Sequence, residues 1–465
     1  MMYNEVVSEG YSMRIIIVGD GKVGSTLTSQ LSKEGHEVIV IDNRSEVLKA
    51  AVDREDVLVI EGNGANLQIL REASAEKADL IIAATSADEV NILSCLVAKK
   101  LGCKHTIARV RNPEYSSQLE FMKKELGLSM SVNPELAAAR EINRIVAYPG
   151  ALKVDHFLRG RIELVEIKLS EDNPLVNIPL SQLHIRFKVK VLACAIKRGG
   201  EVIIPKGDVV LREGDKITFT GTMKEITSFL KMIGVLKKKI RSVMIVGGGK
   251  LGYYVAKQLL DNSLDVTVIE KKHERCKELC MMIPGATIIE GDGTDRDLLL
   301  EEGLEQTDAF ISLTDMDEEN VIISMYASQS GVRKVITKVN RMPYLEILEQ
   351  MGIDTVISPK YLTAAQIVRF VRAMVNEGSA TLESLYKIVD NKVEALEFTV
   401  PEDSSHLGIP LKDINFIDNL LMASIYRGGK VILPSGMDTL EKGDHIIVVT
   451  TQDGLLDFKD IFARG

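Results

Sequence analysis

Arg14-Ile-Ile-Ile-Val-Gly-Asp-Gly-Lys-Val-Gly24 and Ser242-Val-Met-Ile-Val-Gly-Gly-Gly-Lys-Leu-Gly252 are two versions of one pattern, 228 residues apart. Each is a short apolar run, then Gly-x-Gly-x-x-Gly, then an i, i+4 apolar stripe: Val23, Leu27 and Leu31 in the first, Leu251, Val255 and Leu259 in the second. That order predicts a strand, a tight turn and an amphipathic helix. Gly19 permits the turn, Gly21 lets backbone approach a pyrophosphate, and Gly24 lets the helix pack on the sheet. The N–H groups at the start of such a helix attract phosphate oxygens. Asp42 stands 23 residues after Gly19, at the end of the second predicted strand. A carboxylate there accepts from both ribose hydroxyls and repels a 2′-phosphate, which favours NAD over NADP. Gly247, Gly248, Gly249, Lys250, Leu251, Gly252 and Glu270 keep the same spacing. Glu270 is one methylene longer than Asp42, which points to different nucleotide preferences in the two turns; the alternative for either turn is a vestigial glycine turn that binds nothing.

The likeness extends outward. At an offset of 229, Asp79–Thr85 pairs with Asp308–Thr314, Asn91 with Asn320, and Arg109-Val110 with Lys338-Val339. Further on, Arg198-Gly-Gly200 pairs with Arg427-Gly-Gly429, Pro205 with Pro434, and Gly214-Asp215 with Gly443-Asp444. Register held this far marks a duplication, with a period too long for a solenoid. The basic stretch Leu236–Arg241 is the boundary.

Within the first copy, Ile15–Val18, Val38–Ile41, Val57–Ile60 and Leu80–Thr85 are short apolar runs between helical stretches. They predict a Rossmann-like, doubly wound α/β domain with a parallel sheet. A further helix holds Glu141–Val146 and ends at Tyr148-Pro-Gly150. The following residues predict a small α+β module: a strand at Arg161–Leu169, a hairpin of Val191–Lys197 and Glu201–Ile204 about a Gly-Gly turn, a strand at Lys216–Thr220, and an amphipathic helix at Met223–Ile233. The second copy repeats it from Val393 to Phe462. Four domains follow: 13–150, 155–236, 241–375 and 385–465.

The 465 residues are 45% apolar, enough for packed cores, and carry a net charge of -9, which argues against a nucleic-acid footprint. No apolar run approaches the ~18–20 residues that cross a bilayer. Met1–Ser12 lacks the basic start of a signal peptide and, with Met13 directly before the first strand, reads as an upstream start or a frayed tail. Five scattered cysteines fit a reducing cytoplasm.

Catalytic machinery is not visible. No histidine is shared by the copies: His36, His105, His184, His273 and His445 align with other residue types, and His156 and His406 stand alone. These read as surface or core residues. His273, Cys276 and Cys280 share a helical face but supply only three ligands, so packing is the plainer reading and no metal is expected. Lys22 and Lys250 either touch phosphate or are solvated. Arg109 and Lys338 end a later strand on the ligand edge, where a basic group reaches a pyrophosphate. Binding turns without catalytic groups suggest a sensor.

Val18–Gly24, Ile41-Asp42, Ala84-Thr-Ser86 with Asp88, Glu89 and Asn91, Arg109-Val-Arg111, and Tyr148-Pro-Gly-Ala-Leu152 together resemble the TrkA family, the peripheral subunits of bacterial Trk potassium uptake systems. The resemblance runs from Met13 to about Phe462. It implies two tandem RCK (KTN) domains, each a nucleotide-binding N-lobe with a TrkA-C lobe. It further implies a homo-oligomeric ring, read as a tetramer, attached at the inner face of the membrane to a potassium-conducting Trk subunit. NAD(H) and ATP or ADP would bind the N-lobes; no catalytic activity is implied. The residues matched are Gly19, Asp20, Gly21, Lys22 and Val23 for the turn, with Gly24 completing it, Asp42 for ribose, Thr85 and Ser86 beside the cofactor, and Arg109 for phosphate. Gly247–Leu251 and Glu270 match in the second copy. The third-strand turns differ: Gly62-Asn-Gly-Ala-Asn66 against Gly291-Asp-Gly-Thr-Asp295. The C-lobes either bind a second effector or dimerise, with Asp208, Asp215 and Asp444 read as ordinary turn carboxylates. An NAD-linked oxidoreductase and a redox-sensing transcription regulator are the rival classes. The regulator would need a helix-turn-helix, and none is visible.

Overall fold

The computed structural model describes residues 12–463 apart from 116, 117, 119–122, 124, 159, 160, 237, 238, 341–347, 349, 350, 352, 354, 376–380, 390, 391, 453 and 456. The predicted tail before Ser12 and two residues of the predicted boundary, 237 and 238, lie outside the described residues.

The first sheet has six parallel strands: β1 (Arg14–Val18), β2 (Glu37–Asp42), β3 (Leu58–Glu61), β4 (Leu80–Ala83), β5 (His105–Arg109) and β6 (Met130–Val132), in the order β3-β2-β1-β4-β5-β6. Between them run α1 (Lys22–Lys33), α2 (Ser45–Val52), α3 (Leu67–Glu72) and α4 (Asp88–Leu101), and α5 (Pro134–Ala147) follows. β1 is central because every residue from Ile15 to Val18 is apolar and buried on both faces. Ile16, Val18, Ile39, Ile41, Ile81 and Ala83 pack one face beneath Cys95 and Ala98 of α4. The register aligns the strand ends: Val18 lies opposite Ile41 on one side and Ala83 on the other. The strand order reverses between β1 and β4, and the crevice beyond the carboxyl ends at such a switch point is where ligands bind in this class of sheet.

Antiparallel strands β7 (Ala151–Phe157), β8 (Ile162–Lys168), β9 (Leu192–Arg198), β10 (Glu201–Ile203) and β11 (Lys216–Gly221) form the second sheet, in the order β10-β9-β11-β8-β7, with helices α6 (Leu183–Phe187) and α7 (Met223–Met232). The β9–β10 turn is the predicted Gly-Gly pair, with φ +56 and +89 at Gly199 and Gly200, the signs a type I′ turn needs. Strand β7 was not predicted.

The second copy repeats the parallel sheet with β12 (Ser242–Val246), β13 (Asp265–Glu270), β14 (Thr287–Glu290), β15 (Ala309–Ser312), β16 (Lys334–Lys338) and β17 (Val356–Ile357), again in the order 3-2-1-4-5-6. Its helices are α8 (Lys250–Asp261), α9 (His273–Met282), α10 (Arg296–Glu301), α11 (Asp317–Gln329) and α12 (Pro359–Val375). The last sheet holds β18 (Leu382–Ile388), β19 (Val393–Thr399), β20 (Leu420–Arg427), β21 (Lys430–Ile432) and β22 (His445–Thr450) in the order β18-β19-β22-β20-β21. Where the first small module ends in α7, the second has a 3-10 turn, Phe458–Ile461, capped by Asp457. The predicted full repeat therefore fails at its last element. Gly454, at φ +85, interrupts the segment where a helix would start.

Each small module also has an internal ion pair that its sequence did not reveal. Asp215, fully buried, accepts from Arg198 Nε and Nη2 at 2.8 and 2.7 Å and from the Arg212 N–H at 2.8 Å. Asp444 repeats this with Arg427 at 2.8 and 2.7 Å and the Glu441 N–H at 2.8 Å. These are buried struts rather than ordinary turn carboxylates; Asp208 alone is exposed. The two small sheets share one core. Phe157, Ile162, Leu164 and Ala195 pack with Ile388, Val393, Ala395 and Val449, and the Phe157 and Tyr386 rings lie 4.2 Å apart.

Candidate functional site

A cleft of about 570 Å³ opens at the carboxyl ends of β1, β2, β4 and β5. Gly19, Gly21, Lys22, Asp42, Thr85, Ser86 and Arg109 line it, with Asn43, Arg44, Gly62, Asn63 and Gly64. Seven of the residues predicted from the first copy therefore meet in one place.

The glycines divide by what stands before them. Gly19 has φ +90, so only glycine turns there without strain. A Cβ at Gly24 would sit 1.9 Å from the Gly19 carbonyl oxygen and 3.7 Å from Ile17 Cγ2 of β1, so the missing side chain lets α1 close on the turn and on the strand before it. A Cβ at Gly21 would meet nothing within 4 Å. Gly21 therefore faces open cleft, as backbone approached by a ligand must. One further glycine was not singled out for this role: a Cβ at Gly64 would strike Val18 at 2.1 Å, and one at Gly293 would strike Val246 at 2.1 Å. Their repetition at an offset of 229 was the available signal.

Helix α1 begins at this turn with no side-chain cap and no acidic residue in its first turn. By contrast α3 is capped by Asn66, and α4 opens with Asp88 and Glu89. The first N–H groups of a helix need acceptors, and its positive end favours an anion. Opposite, Arg109 donates to the Ala84 and Thr85 carbonyls at 3.3 and 3.4 Å. Its Nε is buried and makes no hydrogen bond among the described residues. Burial, and then Arg111 nearby, lower the pKa of this guanidinium. An open backbone, an uncapped helix start and an under-satisfied buried cation fit a nucleotide pyrophosphate. Lys22 is exposed at the rim, compatible with either of its two readings.

Asn91 was matched between the copies but not placed among the site residues. It is completely buried. Its Oδ1 accepts from the Thr85 N–H and Oγ1 at 2.8 and 2.7 Å, and its Nδ2 donates to the Thr85 and Arg109 carbonyls at 3.1 and 2.9 Å. It thereby fixes Thr85 and Arg109 to each other. Asn320 bonds the Thr314 N–H, the Thr314 carbonyl and the Lys338 carbonyl in the same way.

The predicted ribose carboxylate is wired to the turn. Asp42 Oδ2 accepts from the Asp20 N–H at 2.9 Å, and Glu270 Oε2 from the Gly248 N–H at 2.8 Å. Asp42 also holds Arg44, through Nε to Oδ1 at 3.0 Å and Nη2 to Oδ2 at 3.1 Å. Burial works against the Asp42 charge, but the Arg44 and Asp20 hydrogen bonds outweigh it and hold the carboxyl below its ordinary range. Three predicted residues do not line the cleft: Asp20, Val23 and Gly24. The Asp20 carboxylate is buried and takes hydrogen bonds from Thr28 at 2.9 Å and Arg54 at 3.3 Å. Its burial raises its pKa. Val23 lies in the apolar face of α1.

In the second copy Gly247 repeats the positive φ, +105. A Cβ at Gly249 would meet nothing within 4 Å, whereas one at Gly248 would strike Leu279 at 2.5 Å. Lys338 donates to the Thr314 carbonyl at 2.9 Å, and Lys271 pairs with Asp292 at 2.7 Å. Of the residues weighed for a metal, His273 pairs instead with Glu290, and the Cys276 thiol bonds the Glu270 carbonyl.

Comparison with known proteins agrees with this geometry. The TrkA-N domain model matches residues 15–134 and 243–359, and the TrkA-C domain model matches 164–234 and 395–463. The chain is thus a tandem of two TrkA-N and two TrkA-C domains. Similar proteins include the "Trk system potassium uptake protein TrkA homolog 2" of Methanosarcina mazei, 32% identical over 97% of this chain and 100% of that one. The "Trk system potassium uptake protein TrkA" of Haemophilus influenzae is 32% identical over 94% and 95%. The chain belongs to the TrkA family. Among solved structures, the GsuK RCK domain covers 96% of this chain and 94% of its own at a TM-score of 0.63 and 18% identity. The GsuK channel bound to NAD covers 96% and 78% at 0.64 and 17%. At that identity the likeness concerns the fold, which is that of RCK domains. The relatives are named for potassium uptake, not for an enzymatic reaction.

Proposed function

We propose that this chain is the peripheral regulatory subunit of a Trk-type potassium uptake system, binding NAD(H) and ATP or ADP and gating a membrane-embedded potassium-conducting subunit. One observation carries the reading: the cleft joins an uncapped helix start, the open Gly21 backbone and the under-satisfied Arg109. The names of the relatives point to potassium transport, and one structural neighbour is a channel bound to NAD. No helix among the described residues is long and apolar enough to cross a membrane. This supports attachment to a separate membrane subunit, which we place at its cytoplasmic face.

In this reading the domains are 13–150, 155–236, 241–375 and 385–465. Gly19–Gly24, Asp42, Thr85, Ser86 and Arg109 form the first nucleotide site, and Gly247–Gly252 with Glu270 belong to the second. A bound nucleotide supplies concentrated negative charge. The start of α1 and Arg109 face that charge from opposite sides of the cleft and are drawn together. Asn91 transmits any movement of Arg109 to Thr85 and the start of α4. A ligand shifts an equilibrium only by its differential affinity for two states. Driving a ring from mostly closed to mostly open takes about 5.5 kcal/mol, while one site contributes about 1–3 kcal/mol of coupling. Two sites per chain in an oligomeric ring, which we take as a tetramer, reach that sum. The test is potassium flux in vesicles holding the membrane subunit with this chain. Gly21→Val and Asp42→Ala are expected to remove the first site's share of the response to nucleotide; an unchanged response would overturn the proposal.

A further inference from the structure

Arg44 raises a question of selectivity. A carboxylate has about four acceptor positions, and all four of Asp42 are taken. The Asp20 N–H and the Arg44 N–H hold one each, at 2.9 and 3.0 Å. The Arg44 guanidinium holds the other two as a bidentate fork, at 3.0 and 3.1 Å. A ribose cis-diol needs two acceptors. The backbone pair ties the carboxylate to the glycine turn and to the start of α2, so the two positions a ribose can take are those of the guanidinium. Arg44 lines the cleft and its side chain is 58% exposed, against 4% for Asp42. The guanidinium therefore can swing away while the carboxylate stays. The second copy differs. Among the described residues the Glu270 carboxylate accepts only the Gly248 and Lys272 N–H groups, at 2.8 and 2.9 Å, and no side-chain cation is bonded to it.

We infer that Arg44 is the specificity-determining residue of the first nucleotide site: its guanidinium competes with a free ribose diol for Asp42 and supplies the partner for a 2′-phosphate. The inference rests on the nucleotide reading of this cleft. A carboxylate alone repels a 2′-phosphate, and an arginine beside it accommodates one. Bidentate guanidinium–phosphate contacts are among the stronger charge-assisted hydrogen bonds. The pair thus narrows the preference for NADH over NADPH that Asp42 alone would impose.

The experiment is a titration of NADH and of NADPH against the full chain carrying Gly249→Val, which silences the second turn, with and without Arg44→Ala. Arg44 is exposed, so its loss leaves the fold intact; an unchanged thermal melt checks this. Removing the competitor is expected to tighten NADH by about one-and-a-half- to fivefold, the scale of an exposed ion pair. NADPH binding is expected to weaken by at least about tenfold, the scale of a lost charge-assisted pair. If Arg44→Ala leaves both affinities unchanged, or weakens NADH, the inference is overturned while the nucleotide reading stands. If the parent chain binds neither dinucleotide, the nucleotide reading fails first, and the inference with it. Arg44→Lys, which keeps the charge without the fork, is expected to lie between the parent and Arg44→Ala for NADPH.

Discussion

Replacing Gly21 by valine separates binding from folding. The position has an ordinary extended backbone, φ -71 and ψ -161, which a β-branched residue adopts readily. Its Cβ would meet nothing within 4 Å. The folded state therefore gains no clash, and the change in stability is expected to stay within about 0.5 kcal/mol. The isopropyl group instead fills the space through which phosphate oxygens reach the first N–H groups of α1. Losing two hydrogen bonds to a charged group costs about 3 kcal/mol or more, a loss of roughly a hundredfold or more in Kd. Gly24→Ala is the converse. Its methyl would lie 1.9 Å from the Gly19 carbonyl oxygen and 2.9 Å from its carbon. That neighbour is backbone, so α1 must shift, at a cost of about 3 kcal/mol by analogy with an overpacked core. Calorimetric titration with NADH and ADP, alongside urea denaturation, measures both effects. Gly21→Val binding nucleotide as the parent does would refute the assignment of the turn. Gly21→Val unfolding like Gly24→Ala would refute the distinction between an open and a closed glycine.

Three further outcomes follow from the internal bonding. Asn91→Ala removes the side chain that ties Thr85 to Arg109 and takes a partner from the Arg109 carbonyl and from the Thr85 N–H. It should cost about 2–3 kcal/mol, weaken nucleotide binding, and raise hydrogen exchange at the Thr85 amide. Asp215→Ala strands the Arg198 guanidinium and should destabilise the first small module by about 3–5 kcal/mol in urea, with Arg198→Met/Asp215→Leu recovering part of the loss. Glu141, buried and then repelled by Asp155, has its carboxyl pushed up from 4.5 to about 7 despite Lys153 and Arg144. Its folded-state pKa lies above the unfolded value, so its contribution is fully present below about pH 4.5 and is lost as pH rises through 7. Glu141→Gln should therefore flatten the fall in stability between pH 5 and pH 8; an identical pH profile would count against the buried-acid assignment.

Sequence alone revealed the parts of the fold that depend on short-range pattern. β1 and β12 are unbroken apolar runs followed by glycine turns, and the Gly199-Gly200 hairpin declares itself by residue type. Strands β7 and β18 escaped because a bulge shifts each one's register, between Ala151 and Lys153 and between Leu382 and Ser384. The inward and outward alternation that marks a half-buried strand is broken there. β6 is three residues long, too short to show any period. At the site, residues whose backbone forms the cleft were visible from glycine spacing. Those that act through a side chain across sequence distance were not: Asn91 reaches Arg109 over 18 positions, and Arg198 reaches Asp215 over 17. Asp215 looked like a turn residue because it follows Gly214, and only burial distinguishes the two roles.

The duplication itself separates groups that build the fold from groups that differ between the two candidate clefts. Both copies keep the same internal devices: Asn91 and Asn320 over the end of the fifth strand, Gly64 and Gly293 beneath Val18 and Val246, Arg198–Asp215 and Arg427–Asp444. Any exchange at these positions breaks a buried hydrogen bond or creates a clash, whatever ligand is bound. The copies part at Asp42 and Glu270, Arg44 and Lys272, Asn63 and Asp292, and Arg109 and Lys338. They part as well on the helix that leaves each glycine turn. Tyr254, near the start of α8, donates to the Arg111 carbonyl at 3.2 Å and accepts from Asn133 Nδ2 at 3.1 Å. Among the described residues its counterpart Thr26 bonds back to the Lys22 carbonyl of its own helix. Arg111 follows Arg109 by two residues, and its N–H is held by Asp88 at 2.9 Å. The start of α8 is therefore hydrogen-bonded to the segment that follows Arg109, and among the described residues Thr26 makes no matching bond. The two copies are therefore not structurally interchangeable at the helix that leaves each glycine turn.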